Sequence, residues 1–174
     1  MGSKRCVSTL VKITEKRQAF RPLFKALSPD KRRDLKHRLM REDRPFTDWP
    51  NALGAEVDPL VLLEVMERVM VETSSIVLRF RIADIWTRLR SEGLRLALCS
   101  NLASDYVTAL RNEMPELPDV EVLSYNVGAI KPEPAIYAAV LFVGDTPRTD
   151  IEGPRAAGMK AIHVDELVAA MPPG

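Results

Sequence analysis

The sequence predicts an α/β protein: a parallel sheet sandwiched by helices, with an all-helical segment inserted near the N-terminus. Two observations carry this. From Ile82 onward, helical patterns alternate with short strands that have no polar face, and strands apolar on both faces are covered on both faces. Residues 14 to about 89, by contrast, read as helical throughout. A chain of 174 residues with 46% apolar and 28% charged side chains is long enough to bury a core without disulfide or metal staples.

In chain order, residues 1–13 read as a short apolar strand and the turn after it. Ser28-Pro29-Asp30 supplies an N-cap, a proline at the first helical position and an acid in the first turn, opening a basic helix that runs through Arg41. Turn chemistry follows from Arg44-Pro45 through Trp49-Pro50-Asn51 to Gly54. Asp58-Pro59 starts an amphipathic helix in which Leu60, Leu63, Val65, Val69 and Met70 surround Glu64, Glu67 and Arg68. The helix 83–92 stops at Gly93, a residue free to turn left-handed. Strand 94–99, helix 103–112, strand 120–125, helix 133–139, strand 141–143, helix 150–157 and strand 160–164 complete the series.

Charge and composition narrow the function. The 25 basic and 24 acidic side chains leave a net charge of +1, which gives no global field for a polyanion, so nucleic-acid and membrane-surface partners are not expected. The cluster Lys31, Arg32, Arg33, Lys36, His37, Arg38, Arg41 and Arg44 is interleaved with Asp30, Asp34, Glu42 and Asp43, as in a solvated helix face. One or two of those arginines are placed to meet an anionic substrate. The apolar run 60–71 is too short and too charged for a bilayer span. Residues 1–6 have no apolar signal core, and a cytoplasmic protein is expected. Cys6 and Cys99 read as buried inert thiols, and His37 and His163 lack partners at metal-ligand spacing. Trp49 and Trp86 read as packing residues, and Met40, Met66 and Met70 as core fill.

Chemistry in such sheets gathers at the carboxyl ends of the strands. There the sequence delivers Ser100-Asn101, then Gly128-Ala129-Ile130-Lys131-Pro132, then Gly144-Asp145 followed by Asp150. A hydroxyl, an ammonium and two carboxylates suit a phosphoryl group held with a hard divalent cation.

The segments LALCSN, GAIKPEP and LFVGDTPRTDIEGPRAAGM resemble motifs II, III and IV of the haloacid dehalogenase (HAD) superfamily of hydrolases, most of them phosphatases. The resemblance spans about residues 82–164. It implies a Rossmann-like α/β core over 1–13 and 82–174 and a helical cap over 14–81. It implies catalytic roles for Ser100 and Lys131, phosphoryl binding by Ser100, Asn101 and Lys131, and a Mg²⁺ site at Asp145 and Asp150, with Asp150 either assisting the metal or orienting Lys131. The expected activity is Mg²⁺-dependent hydrolysis of a small phosphorylated metabolite through an aspartyl-phosphate, by a monomer or homodimer. Two acids in motif IV favour the phosphatases over the dehalogenase-type hydrolases of the same superfamily, which need no cation.

The sequence departs from the family at its first motif, Asp-x-Asp-x-Thr/Val, whose leading Asp attacks phosphorus. Here the segment reads Cys6-Val7-Ser8-Thr9-Leu10-Val11, and the first acid is Glu15. A stretch is missing between Ser8 and Thr9 relative to the family pattern. A second seam lies at Val140/Leu141, where no Gly, Pro, Asn or Asp separates Pro134 from Gly144 to turn a helix into a strand. The alternative to an enzyme is therefore a catalytically inactive relative that binds a phosphorylated ligand.

Overall fold

The structure, a computed structural model, describes residues 10–136, 142–156, 158 and 161–170. Both seams, Ser8/Thr9 and Val140/Leu141, and Cys6 lie outside the described residues. The chain begins with strand β1 (Val11–Ile13), which pairs antiparallel with β2 (Ile76–Leu78), Val11 opposite Leu78 and Ile13 opposite Ile76. These two strands form a stem. Between them the chain leaves and returns through helices α1 (Arg21–Ala26), α2 (Pro29–Arg38), α3 (Trp49–Ala52) and α4 (Pro59–Ser74).

The stem corrects the reading of 14–89 as helical throughout. Ile76-Val77-Leu78 is apolar and β-branched enough to pair, and the backbone of β1 offers it a partner: the Thr14 amide extends the ladder to the Ser75 carbonyl at 3.0 Å. The loop 44–54 is likewise more ordered than its turn residues suggest, since α3 and a 3₁₀ turn at Phe46–Asp48 occupy it.

Local chemistry sets the helix ends. The carboxylate of Asp58 accepts the Leu60 amide at 2.9 Å, and Pro59 occupies the first helical position of α4. Ser28 precedes α2 in extended conformation but makes no side-chain capping bond, so the Pro29 ring and not the hydroxyl sets that start. Gly93 follows α5 (Ile82–Ser91) at φ +78, the left-handed turn its sequence position requires.

Beyond α5 the expected strands appear in order, while of the helix expected at 133–139 the described residues show a 3₁₀ turn at Pro134–Ile136 and 137–139 lie outside them. β3 (Ala97–Ser100) runs parallel to β4 (Val120–Leu123), with Ser100 level with Leu123, and α6 (Val107–Glu113) connects them. β4 stops two residues before its expected end, because Ser124 and Tyr125 enter a short helix, α7 (Ser124–Val127). β5 (Phe142–Gly144) runs parallel to β6 (Ala161–His163), with Gly144 level with His163. Between them lie a π-helical turn at Pro147–Glu152 and α8 (Gly153–Ala156), and α9 (Val164–Ala170) follows β6. The fold is thus α/β with parallel strands between helices, its ladders formed as pairs among the described residues.

One hydrophobic cluster joins the inserted helices to the α/β part. Leu23, Leu35, Trp49, Val65 and Val69 pack with Leu98, Leu102, Tyr106, Leu110 and Leu123. Glu72 of α4 is buried at this junction, where it accepts the Tyr106 hydroxyl at 2.5 Å and the Arg17 amide at 2.6 Å. Trp49 and Trp86 are buried, as their packing role requires. Met66 and Met70 are not core fill: Met70 is 61% exposed, and with Leu60, Leu63 and Met66 it lines the outer face of α4, while Val65 and Val69 take the inner face. No helix among the described residues is long and apolar enough to cross a membrane.

Candidate functional site

The loops after β3 and β4 are stitched together by side chains standing in for a further strand ladder. Asn101, immediately after β3, accepts the Lys131 amide on Oδ1 at 2.7 Å and donates Nδ2 to the Lys131 carbonyl at 3.3 Å. At the next residue, Leu102, the buried Ser124 hydroxyl does the same from the end of β4, accepting the Leu102 amide at 3.0 Å and donating to its carbonyl at 3.3 Å. Gly128, at φ +69, ends α7 and aims the chain toward Lys131. The backbone of Lys131 is therefore fixed at both its polar groups.

Its ammonium reaches the loop after β5. Lys131 Nζ lies 2.5 Å from Asp150 Oδ1, with side chains 13% and 4% exposed. Asp150 sits in the π-helical turn, where its second oxygen accepts the Thr146 amide at 3.2 Å and its own amide donates to the Thr146 carbonyl at 2.8 Å. The Thr146 hydroxyl donates to Asp145 Oδ1 at 3.2 Å, and Arg79 Nη1 holds Asp145 Oδ2 at 3.2 Å. A continuous relay results: Arg79, Asp145, Thr146, Asp150, Lys131, Asn101. It spans the ends of β2, β3 and β5 and the loop beyond β4.

His163 supports the relay from β6. Its Nδ1 accepts the Asp165 amide at 3.2 Å, which leaves the proton on Nε2 to donate to the Asp145 carbonyl at 3.2 Å. The imidazole is thus a structural strut, in keeping with its lack of metal-ligand spacing. Cys99, beside the relay, is half-buried, and desolvation pushes its thiol up to about 11, the Lys131 charge partly opposing this and that of Asp150 adding to it. That is the inert thiol its apolar context implies.

From the helical insertion, Arg41 pairs with Glu133 Oε1, two residues beyond Lys131, while Glu133 Oε2 accepts the Ile130 amide at 3.2 Å. Of the other arginines in the basic cluster, Arg33 pairs with Asp30 and Arg44 with Glu42, Arg32 donates to the Leu27 carbonyl at 3.0 Å, and Arg38 bridges Asp34 and Glu42 and, with Arg44, covers the Trp49 ring at 5.4 Å. The Glu42 carboxyl is held below its usual range by the Arg38 guanidinium.

The structure thus brings Asn101, Lys131 and Asp150 into direct contact and joins Asp145 to them through Thr146. Ser100 is buried at the end of β3, one residue before Asn101. Arg79, Thr146, Ser124 and Glu133 escaped the sequence reading. Thr146 and Glu133 lie inside the motifs and carry that positional signal; Arg79 stands in a run of alternating apolar and basic residues with none.

A magnesium ion wants about six oxygens and demands near-octahedral geometry. All four carboxylate oxygens of Asp145 and Asp150 already accept from donors of the chain: Arg79, Thr146 twice, and Lys131. Among the described residues no group of three or more Asp, Glu, His or Cys gathers as a metal site. As folded, these residues do not fit the ion without rearrangement.

The strand ends and the loops beyond them thus carry a Lys–Asp pair and, joined to it through Thr146, a second acid. Residues 123–166 match the HAD-hydrolase-like family model. No curated protein matches the chain. A HAD family enzyme from Bacteroides thetaiotaomicron superposes with a TM-score of 0.59 at 17% identity, over 90% of this chain and 89% of its own. That enzyme is also known with magnesium and inorganic phosphate bound, in a structure of TM-score 0.56 and 16% identity that aligns over 88% of each chain. A HAD phosphatase from Thermococcus onnurineus aligns at TM-score 0.51 and 20% identity over 89% of this chain and 81% of its own. The magnesium-bound HAD-hydrolase of Bacillus subtilis aligns at 0.53 and 17% over 91% and 79%. The chain shares their fold.

Proposed function

We propose that this chain is a HAD-type hydrolase that takes a small phosphorylated metabolite, with Lys131 and the end of β3 as its phosphoryl-binding element. What carries the reading is the Lys131 ammonium, fixed at its backbone by Asn101 and paired with a nearly sealed carboxylate at 2.5 Å. Such a lysine is held in place and aimed, which is what neutralising phosphate oxygens requires. Ser100 and Asn101 supply the neighbouring hydroxyl and amide, and Asp150 orients Lys131. Residues 14–81 form the cap that covers the site, and the protein works in the cytoplasm as a monomer or homodimer. The Bacteroides and Bacillus proteins bind magnesium; in this chain Asp145 would be its carboxylate only once its present partners, Arg79 and Thr146, let go.

A second reading is favoured by one observation: Cys6-Val7-Ser8-Thr9-Leu10-Val11 carries no carboxylate to attack phosphorus. On it, the chain binds phosphate or a phosphorylated ligand without cleaving it, since positioning alone has no nucleophile to act on.

One pair of measurements tests both. The purified chain is titrated with inorganic phosphate and incubated with p-nitrophenyl phosphate, with and without Mg²⁺, beside Lys131→Ala and Asp145→Asn. Turnover by the wild type, lost in both variants, supports the hydrolase. Phosphate binding lost in Lys131→Ala, with no turnover, supports the binder. Neither binding nor turnover sinks both.

A further inference from the structure

We propose that Arg79 is the resident cation of this site: it occupies Asp145 in place of a divalent metal ion, so that a metal ion enters only by displacing it. The inference rests on the reading of Asp145 as the carboxylate that a magnesium ion would use.

The relay holds two carboxylates, Asp145 and Asp150, and two cations, Arg79 and Lys131, arranged as two ion pairs joined by Thr146. It is therefore close to neutral before any metal arrives. Asp150, sealed and matched to Lys131, is not available for exchange at low cost. Asp145 differs. Its side chain is 18% exposed and that of Arg79 is 37% exposed, so water and ions reach this pair. An accessible pair of this kind is weak enough for a competing ion to overcome.

Arg79 is also placed there by the fold. It follows β2 directly, and its amide extends the stem by donating to the Leu10 carbonyl at 2.9 Å. Two residues on, Arg81 adopts φ +64 and turns the chain into α5. The root of the Arg79 side chain is thus pinned by the same stem that returns the helical insertion to the sheet.

A divalent ion on Asp145 and a guanidinium on the same oxygens repel each other and compete for the same lone pairs. The two are mutually exclusive, and by linkage whatever weakens one strengthens the other. In this chain the metal is a displacing ligand of a site that already carries its own counter-charge.

The test is a calorimetric Mn²⁺ and Mg²⁺ titration of the full chain, wild type beside Arg79→Gln, Arg79→Lys and Arg79→Gln/Asp145→Asn, each checked for fold by circular dichroism. Arg79→Gln is expected to bind the ion about three- to tenfold tighter than wild type. Arg79→Lys stays near wild type, and the added Asp145→Asn change removes the gain. On the wild type itself, saturating Mg²⁺ must shift the Arg79 Nε–Hε resonance, a readout that survives if a variant fails to fold. Affinity in Arg79→Gln no tighter than wild type, a gain that persists without Asp145, or an unmoved Arg79 resonance overturns the proposal. A chain that gains metal affinity on losing Arg79, yet neither binds nor hydrolyses phosphate, refutes the functional reading and leaves this one standing.

Discussion

Gly144 and Asp150 meet so closely that a Cβ built on the glycine would lie 2.0 Å from the Asp150 Cβ and 2.9 Å from its Oδ2. The contact explains why the strand that leads into the acidic loop ends in glycine: the π-helical turn folds Asp150 back over β5, and only a residue without a side chain leaves room. Gly144→Ala must push the turn outward and draw Asp150 off Lys131. We expect a loss of about 1–3 kcal/mol of stability by urea unfolding, together with loss of phosphate binding. Wild-type stability in the alanine variant would show that the turn yields freely and that the close approach does not fix Asp150.

The Lys131–Asp150 pair sets a second expectation. Removing one partner of a sealed ion pair strands the other without water to solvate it. Asp150→Ala should cost about 3–5 kcal/mol, since the ammonium loses its carboxylate. Lys131→Met should cost less, because Asp150 keeps the Thr146 amide as a donor. Equilibrium unfolding of the two single variants and the double variant gives their coupling; additive costs would mean the pair is formed at no energetic advantage.

Arg41 reaches across from the helical insertion to Glu133, whose other oxygen receives the Ile130 amide, so the insertion touches the loop that carries Lys131. Glu133 is exposed enough that the pair is worth about 0.5–1 kcal/mol. Arg41→Ala should raise amide exchange at Ile130 several-fold while Tm falls by only a few degrees, and Glu133→Ala should match it at Ile130. An Ile130 amide indifferent to Arg41 would show that the insertion does not steady the loop.

How much of this was legible in the sequence follows from which forces are local. The strands after Ile82 announce themselves because burial on both faces leaves them uniformly apolar, and Ser100, Asn101, Lys131, Asp145 and Asp150 stand out because each directly follows such a strand or its loop. Strand β2 and its antiparallel pairing with β1 were not legible. Three-residue strands are too short for a period, and their pairing depends on a partner more than sixty positions away. Met66 and Met70 misled for a related reason: helical spacing tells which residues share a face but not which face the fold covers, and Val65 and Val69 took the inner one. Arg79 and Glu72 were invisible because an ion pair or hydrogen bond to a distant loop leaves no mark on neighbouring residues.

Cys99 lies beside the relay, and its thiol reports on how far water reaches there. Its neutral thiol is favoured by burial, with the folded-state value raised from 9.0 to about 11. The folded protein thus holds a proton that the unfolded chain releases. This contribution to stability is complete below pH 9 and is lost as pH rises towards 11. At pH 8 a shift of that size leaves about a hundredfold less thiolate than an ordinary cysteine has. In a Cys6→Ser background, iodoacetamide should therefore label the native protein far more slowly than the urea-unfolded chain, and Cys99→Ala should flatten the decline in stability between pH 9 and 11. Rapid labelling of native protein at pH 8 would place water against Cys99, and the neighbouring Lys131–Asp150 pair would then be no better shielded than a surface contact.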